Sequence, residues 1–481
     1  MNGHAWFILT SVVSVGVVVG ACIVDLFYNK RVVYPRAYTV TRFKTWLLMG
    51  LSYALLFFGR YNFAAINSDV CLNDLKVTPH QFGYIATAGL WCYAISILVN
   101  GAVCDNIGSK PSMVIGTLGS SLCNGLFYYL FTTKIAWIQV NFWAVLVLNG
   151  LNNYFQSFGS LAIVKVGSIW YHQKERGLFG GIFGCIVGFG FFLALSLNQF
   201  IASFDMMHNW PQTFMYPSIA LIIICAINAL FLKPRPVDAG FEPIPGTVEK
   251  KSDAGFFDAA RFIFKKPIFY VFIFVEITLG WCRDGIIYWY SHWLENLEEN
   301  MVGSEGASFL ASFLVTMGGM FGSLLSGIVS DLVFNSRRQP VAFIGMIGYL
   351  INLVFMYWAN AVLNPWTGAI AVGLASFFFS SVHGIVTSTC AMDFSTTASV
   401  GVAVGLLDGT QKFGSGLQGL FLGGVIGNDK TGYHYDHWIF ALAPSALICA
   451  VLLLSIINKK APEQKDKEDE PLMLTVEEDD E

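Results

Sequence analysis

Two arginines, Arg60 and Arg283, lie inside long apolar runs, where a cation is expensive, and they are 223 residues apart. A guanidinium fork matches the oxygens of phosphate or carboxylate in bidentate fashion. Two such forks converging on one point require an anion. A dianionic phosphate neutralises both, whereas a monocarboxylate leaves one positive charge over. The alternative is that each arginine pairs with a buried acid. Glu276 stands seven residues before Arg283, on the same face of a helix. Asp284 is adjacent but expected to turn away, and Asp408 lies in a third apolar run. Lys412 is a further cation in that run, four residues after Asp408, so an Asp408–Lys412 pair within one helix competes with a role for Lys412 as a substrate ligand. Lys165 is nearer a helix end and is expected to snorkel.

The elements that must position these groups are membrane helices. Of 481 residues, 55% are hydrophobic and only 12% charged, with a mean hydropathy of +0.58. Spanning a bilayer takes about 20 predominantly apolar residues, and the chain offers about 13 such runs. They are too long and too uniformly apolar for barrel strands, which alternate. Assigning the loops to alternate sides places 21 Lys and Arg on one side and three, Lys76, Lys134 and Lys430, on the other. By the positive-inside rule the first side is cytoplasmic. The C-terminus is then expected in the cytoplasm and the N-terminus across the membrane. The four cations on neither side are Arg60, Lys165, Arg283 and Lys412, each costing about 2.5–3.5 kcal/mol at a helix centre on insertion scales.

The expected organisation is an extra N-terminal membrane helix with a basic linker over residues 1–44, a six-helix bundle over 45–232, a cytoplasmic linker over 233–266, a second six-helix bundle over 267–457 and an acidic, disordered tail over 458–481. The first apolar run is read as a span and not a cleaved leader, because its basic residues follow it. Internal repetition supports two halves. Gly101-x-x-x-Asp105-x-x-Gly108-x-Lys110 closes one helix, and Gly327-x-x-x-Asp331, followed by Arg337 and Arg338, closes another, the two aspartates 226 residues apart. The glycines Gly101 and Gly327 are expected to let helices approach closely. The ten cysteines mostly sit in apolar runs and read as small buried hydrophobes. There is no phosphate-binding loop of the ATPase type, no HExxH and no dinucleotide fingerprint. The chain is therefore not expected to be an enzyme or to need a cofactor or metal, and transport would run on gradients.

The paired loop motif, with Lys174-Glu175-Arg176-Gly177, resembles the major facilitator superfamily, which implies two bundles rocking about a central site. More narrowly, Phe58-Gly59-Arg60-Tyr61-Asn62-Phe63, Arg283-Asp284-Gly285-Ile286 with Trp289, Phe155-Gln156, Trp170-Tyr171-His172-Gln173, Lys233 to Ile244 and Asp408-Gly409-Thr410 resemble the organophosphate:phosphate antiporters. The resemblance runs from about residue 45 to 457. It implies a phosphate moiety held between Arg60 and Arg283, each in mid-helix, and exchanged for inorganic phosphate. It also implies that Tyr53 and Tyr93 line the pocket. Ile97, Val187 and Ser160-Leu161-Ala162 depart from the glycerol-3-phosphate members, which have Lys, His and Trp-Pro-Pro there.

The expected partners are a small phosphorylated anion, inorganic phosphate and the lipid bilayer, with no nucleic acid and a monomeric functional unit. Two other functions stay open. One is a proton-coupled organic-anion symporter in which Glu276, with His383 or His292, takes a proton; a fixed Glu276–Arg283 salt bridge is the competing role. The other is a ligand sensor on the same scaffold.

Overall fold

The computed structural model describes residues 3–28, 34–66, 69–171, 176–203, 210–242, 261, 263–299, 301, 306–334, 337–390, 400–427 and 434–459. Among them there are thirteen helices of 16 residues or more and no strand. They are α1 (Gly3–Ile23), α2 (Arg36–Phe58), α3 (Pro79–Ile107), α4 (Ser109–Thr133), α5 (Phe142–Trp170), α6 (Arg176–Phe191), α7 (Gln212–Phe231), α8 (Pro267–Ile287), α9 (Ala307–Leu332), α10 (Arg338–Ala361), α11 (Pro365–His383), α12 (Val400–Ile426) and α13 (Tyr435–Ser455). α6 and α11 run on as π-helical turns over Phe192–Leu197 and Gly384–Cys390.

Helix starts follow local chemistry. Thr78 caps α3 through the Gln81 amide and Gln81 answers with its side chain, with Pro79 in the first turn. Asn364 caps α11 in front of Pro365. Nine of the described helices are long and apolar enough to cross a membrane by length and composition alone. The four long helices outside that set are α2, α5, α8 and α12; among their buried polar groups are Gln156 on α5, Arg283 and Asp284 on α8 and Lys412 on α12.

Two sets of helices pack among themselves. α3, α4 and α5 form one contiguous group, with α7 on α4 and α6 on α2. In the other, α11 packs between α9 and α10, and α8 lies on α12 and α13. The sets meet along two seams, α3 against α12 and α6 against α9, and α1 lies over the second seam. Glycines set the closest approaches. A Cβ at Gly280 would strike the Gln411 carbonyl, and one at Gly414 the Ile277 carbonyl, so α8 and α12 touch backbone to backbone. Gly83 and Gly419 do the same for α3 and α12.

The first seam is tied from the loop beside Pro79 to mid-helix. Thr87 Oγ1 donates to the Gly416 carbonyl at 2.8 Å, and Trp91 Nε1 donates to that of Phe413 at 3.0 Å. On the second seam Ser312 donates its hydroxyl to Gln199. α1 ends on a buried cluster. Asp25 pairs with Arg42 at 3.1 Å and accepts from Trp46 Nε1 at 2.8 Å and from the Tyr171 hydroxyl at 3.1 Å. After α7, the Arg235 guanidinium binds the Asp238 carboxylate at 2.8 and 3.1 Å and holds that acid below the usual carboxylate range.

Candidate functional site

α2 stops at Phe58, short of Arg60. Residues Gly59, Arg60 and Tyr61 form a break before the short helix Asn62–Ala65. This corrects the mid-helix expectation: Arg60 is carried by the turn between two helices. Breaking a helix in an apolar interior frees carbonyls that must find donors. α4, α5 and the short helix Asn198–Ser203 that follows α6 supply them as asparagine amides. Asn152 Nδ2 donates to the Gly59 carbonyl at 2.9 Å, Asn124 Nδ2 to the same oxygen at 3.3 Å, and Asn198 Nδ2 to that of Phe58 at 3.2 Å. The buried polar stripe of α5, Asn149, Asn152, Asn153 and Gln156, recurs at helical spacing on one face.

Arg60 is 3% exposed. Its Nε donates to Gln156 Oε1 at 2.6 Å. Gln156 is held in that orientation because its Nε2 donates to the Ser120 hydroxyl at 3.1 Å and, more weakly, to Asn152 Oδ1 at 3.4 Å. The guanidinium carbon sits 4.6 Å from the Tyr93 ring centre, 4.8 Å from that of Phe57 and 5.9 Å from that of Tyr53. Nη2 of Arg60 is buried with no hydrogen-bond partner among the described residues. Tyr53 and Tyr93 thus wall this arginine, and the Tyr93 hydroxyl points across the seam to Asp408 Oδ2 at 3.5 Å.

The second half presents its arginine the same way. Arg283, 6% exposed, donates from Nη1 to Gln411 Oε1 at 2.9 Å. Its Nη2 reaches the Tyr61 hydroxyl at 3.4 Å, on the residue next to Arg60. Lys412 Nζ donates to the same hydroxyl at 3.2 Å. Asp284, fully buried, lies 3.8 Å from Arg283 Nε and 3.8 Å from Lys412 Nζ, so it faces both cations instead of turning away. Neither carboxylate oxygen makes a hydrogen bond among the described residues. Lys412 accordingly takes Asp284 and not Asp408 as its acid, and of the two alternatives for Lys412 the pair within α12 does not form.

Glu276 does not pair with Arg283. It is fully buried against α11, with Oε2 3.4 Å from His383 Nδ1 and Oε1 accepting from the Thr387 hydroxyl. His292, the other histidine considered as a proton carrier, is buried on the short helix Tyr290–Glu299 and meets the Tyr435 hydroxyl at 2.6 Å. Lys165 Nζ donates to the Cys104 carbonyl, near the end of α3, at 3.1 Å.

The first glycine of each copy of the loop motif has no close neighbour. A Cβ on Gly101 or Gly327 would meet nothing within 4 Å, so neither permits a close approach. Gly108, between α3 and α4, has φ +90°, a backbone that favours glycine. In the second copy Arg338 Nη1 donates to the Ser330 hydroxyl at 2.9 Å. The side chains of Asp105 and Asp331, residues 172 and 173, and residues 174 and 175 of the Lys174–Gly177 motif lie outside the described residues.

Of the ionisable and pocket residues named from the sequence, Arg60, Arg283, Lys412, Tyr53, Tyr93 and Asp408 gather in one place, while Glu276 contacts His383 and Thr387 instead. Sequence reasoning missed Tyr61, Gln411 and Thr387 as contact groups, and assigned neither Gln156 nor Asp284 a place there. Their one available signal was polar character inside an apolar run.

The family model of the Major Facilitator Superfamily matches residues 49–418. The membrane sensor protein UhpC of Salmonella typhimurium is 24% identical over 442 residues, covering 88% of this chain and 94% of that protein. The glycerol-3-phosphate transporter of Bacillus subtilis is 24% identical over 439 residues, covering 87% and 93%. A probable hexose phosphate transport protein of Chlamydia trachomatis is 23% identical over 443 residues, covering 88% and 92%. Among solved structures, a D-xylose-proton symporter superposes with a TM-score of 0.64 at 14% identity, covering 87% of this chain and 98% of that one. The nucleoside transporter NupG gives 0.63 at 12% identity, covering 86% and 99%. At these identities the structures speak for the fold alone.

Proposed function

The chain belongs to the Major Facilitator Superfamily, and from that premise we propose that it exchanges a small phosphorylated organic anion for inorganic phosphate by alternating access. One observation carries the reading. Arg60 has a neutral amide as its polar partner, with a buried N–H to spare, while Arg283 and Lys412 share a single carboxylate. Three cations set against Asp284 and the tyrosine-bound Asp408 leave the site positive. A buried positive site is stabilised by an anion with several acceptor oxygens. Similarity to proteins named for glycerol 3-phosphate and hexose phosphate supports phosphate as its head group.

In this reading residues 45–232 and 267–457 are the rocking halves, 233–266 their linker and 458–481 a cytoplasmic tail. The Lys- and Arg-rich end of the bundle faces the cytoplasm, the N-terminus lies opposite, and one chain is the working unit. The seam contacts Gly83–Gly419, Thr87–Gly416 and Gln199–Ser312 then lie on the non-cytoplasmic side of the site.

The test is counterflow into phosphate-loaded proteoliposomes, with glycerol 3-phosphate, hexose phosphates, phosphoglycerates and plain carboxylates outside. Uptake of a phosphorylated compound, matched by loss of internal phosphate, is expected. Uptake of carboxylates with no phosphate release rejects the proposal. The similarity to a membrane sensor protein favours a second reading, a receptor that binds such anions without moving them. Saturable phosphate binding with no counterflow of any compound would select it.

A further inference from the structure

The two halves hold their arginines with matching glutamines that differ in what stands behind them. Gln156 is anchored by Ser120 and Asn152, which do not titrate. Gln411 is anchored by a histidine: its Nε2 lies 2.9 Å from His383 Nδ1. The orientation of Gln411 is settled by Arg283, which has only donors to offer and therefore takes the carbonyl Oε1. The amide NH2 must then face His383 Nδ1, and that nitrogen must be an acceptor.

An unprotonated Nδ1 leaves Glu276 poorly served. The Thr387 hydroxyl lies 2.8 Å from Nδ1 and also contacts Glu276 Oε1, yet it has one proton for the two of them. Glu276 Oε2 faces the Nδ1 lone pair at 3.4 Å with no hydrogen between. A fully buried carboxylate held by one hydroxyl is a costly arrangement. One added proton repairs it and disturbs Gln411. We infer that Glu276, Thr387 and His383 form a proton-binding site whose occupancy is linked, through the amide of Gln411, to anion binding at Arg283. This inference rests on the anion-transport reading above and names what is coupled to it.

The linkage is geometric. Neutral His383 takes one proton from water and becomes imidazolium. Its Nδ1–H now donates to Glu276 Oε2, and the Thr387 hydroxyl donates to Oε1, which makes a neutral buried pair. The NH2 group of Gln411 then faces an N–H, and the amide turns over to offer its oxygen. That turn aims NH2 at Arg283, and Arg283 gives up its protein acceptor for the anion. Proton and anion therefore bind with positive cooperativity, and linkage makes the effect reciprocal.

His383 is accessible to the proton, since its side chain is 29% exposed while that of Glu276 is fully buried. The surroundings contain no competing titratable partner at hydrogen-bond range among the described residues. α9 and α10 meet α11 through Gly322, Ser323 and Gly345. α13 brings Cys449, whose Sγ lies 4.0 Å from the Val275 carbonyl. The charged groups on α8 and α12 are Arg283, Asp284, Asp408 and Lys412, and these contact one another, Tyr61, Tyr93 or Gln411.

The test is calorimetric titration of the full chain in lipid nanodiscs with inorganic phosphate, in buffers of different ionisation heat, from about pH 5.5 to 8, where imidazoles change charge. The wild type is compared with His383→Gln and with Gln411→Leu, which keeps His383 but cuts it from Arg283. Ionisation of phosphate itself is common to all three and cancels. Net proton uptake per phosphate is expected to be larger in the wild type than in either variant. Its affinity should fall by about fivefold or more relative to theirs from the acid to the alkaline end. Two variants guard against one misfolding. Equal proton uptake and parallel pH profiles in all three overturn the proton site and leave the anion reading intact. No phosphate binding by the wild type overturns the anion reading and the linkage with it.

Discussion

The hydroxyl of Tyr61 accepts from Lys412 Nζ at 3.2 Å, which joins the residue beside Arg60 in one half to a cation of the other. Arg283 Nη2 approaches the same oxygen at 3.4 Å. A single phenol thus supplies two cations with an acceptor of the kind an anion provides in larger number, and it ties the halves across the site while doing so. Hydrogen bonds to charged groups contribute about 1.5–3 kcal/mol each. Tyr61→Phe is therefore expected to lower the melting temperature of the ligand-free chain and to enlarge the upward shift that phosphate produces. Thermal unfolding in nanodiscs with and without phosphate measures both. An unchanged phosphate shift would show that the hydroxyl and the anion do not compete.

Replacing either arginine by lysine keeps the charge and removes the fork. Arg60→Lys also loses the fixed geometry in which one edge binds Gln156 while Nη2 stays available. Phosphate exchange in proteoliposomes is expected to fall by about 100-fold or more for Arg60→Lys and for Arg283→Lys, which corresponds to about 2.7 kcal/mol. Retention of more than a third of wild-type exchange in both variants would mean that bidentate recognition is not used.

In the proposed exchange Asp284 would compete with the anion for Arg283 and Lys412. Its carboxylate lies at the long distance of 3.8 Å from both and makes no other hydrogen bond among the described residues. Asp284→Asn should raise phosphate affinity by about tenfold. It should also destabilise the empty chain, because removing one partner of a buried ion pair costs about 3–5 kcal/mol. Equilibrium binding and thermal unfolding read the two effects separately. A fall in affinity would assign Asp284 to orienting the cations.

The cations of this site were legible because a charge inside an apolar run is conspicuous at any register, and the repeat offset between Arg60 and Arg283 placed them in corresponding helices. Their partners were not legible. Glu276 and Arg283 share a helical face, but the backbone contact of α8 with α12 at Gly280 and Gly414 brings Gln411 to Arg283, and Glu276 meets His383 and Thr387 from α11. Helical spacing describes one helix and says nothing about which neighbour arrives. The break at Gly59 was equally hidden, since its carbonyl is answered by Asn124 and Asn152, 65 and 93 residues away. Gly101 and Gly327 misled for a related reason: a glycine marks permission for a close approach, and no neighbour uses it at these two positions.

The anchor of α1 is separable from the site. Arg42 stacks over Tyr171 at 4.4 Å and pairs with Asp25, both side chains being nearly inaccessible. Arg42→Gln leaves the Asp25 carboxylate with Trp46 and Tyr171, an expected loss of about 3–5 kcal/mol. The double variant Asp25→Asn/Arg42→Gln removes the stranded charge and should lose clearly less than the sum of the singles. Unfolding of the four proteins completes the cycle. Additive losses would mean that the pair does not hold α1 on the core.

Closure of the seam between α3 and α12 depends on two glycines. A side chain at Gly83 meets the Gly419 carbonyl, and one at Gly419 meets the Thr87 hydroxyl that donates to Gly416. Neither contact touches Arg60, Arg283 or Lys412, so a bulky residue there blocks one conformation without removing an anion ligand. Gly83→Leu should slow phosphate exchange by about tenfold or more while phosphate still binds, because alternating access requires both closed states to be reachable. Gly101→Leu, introduced where a Cβ has open space, serves as the control and should leave exchange within about twofold. Equal rates for Gly83→Leu and the wild type would mean that the α3–α12 contact is not part of the transport cycle.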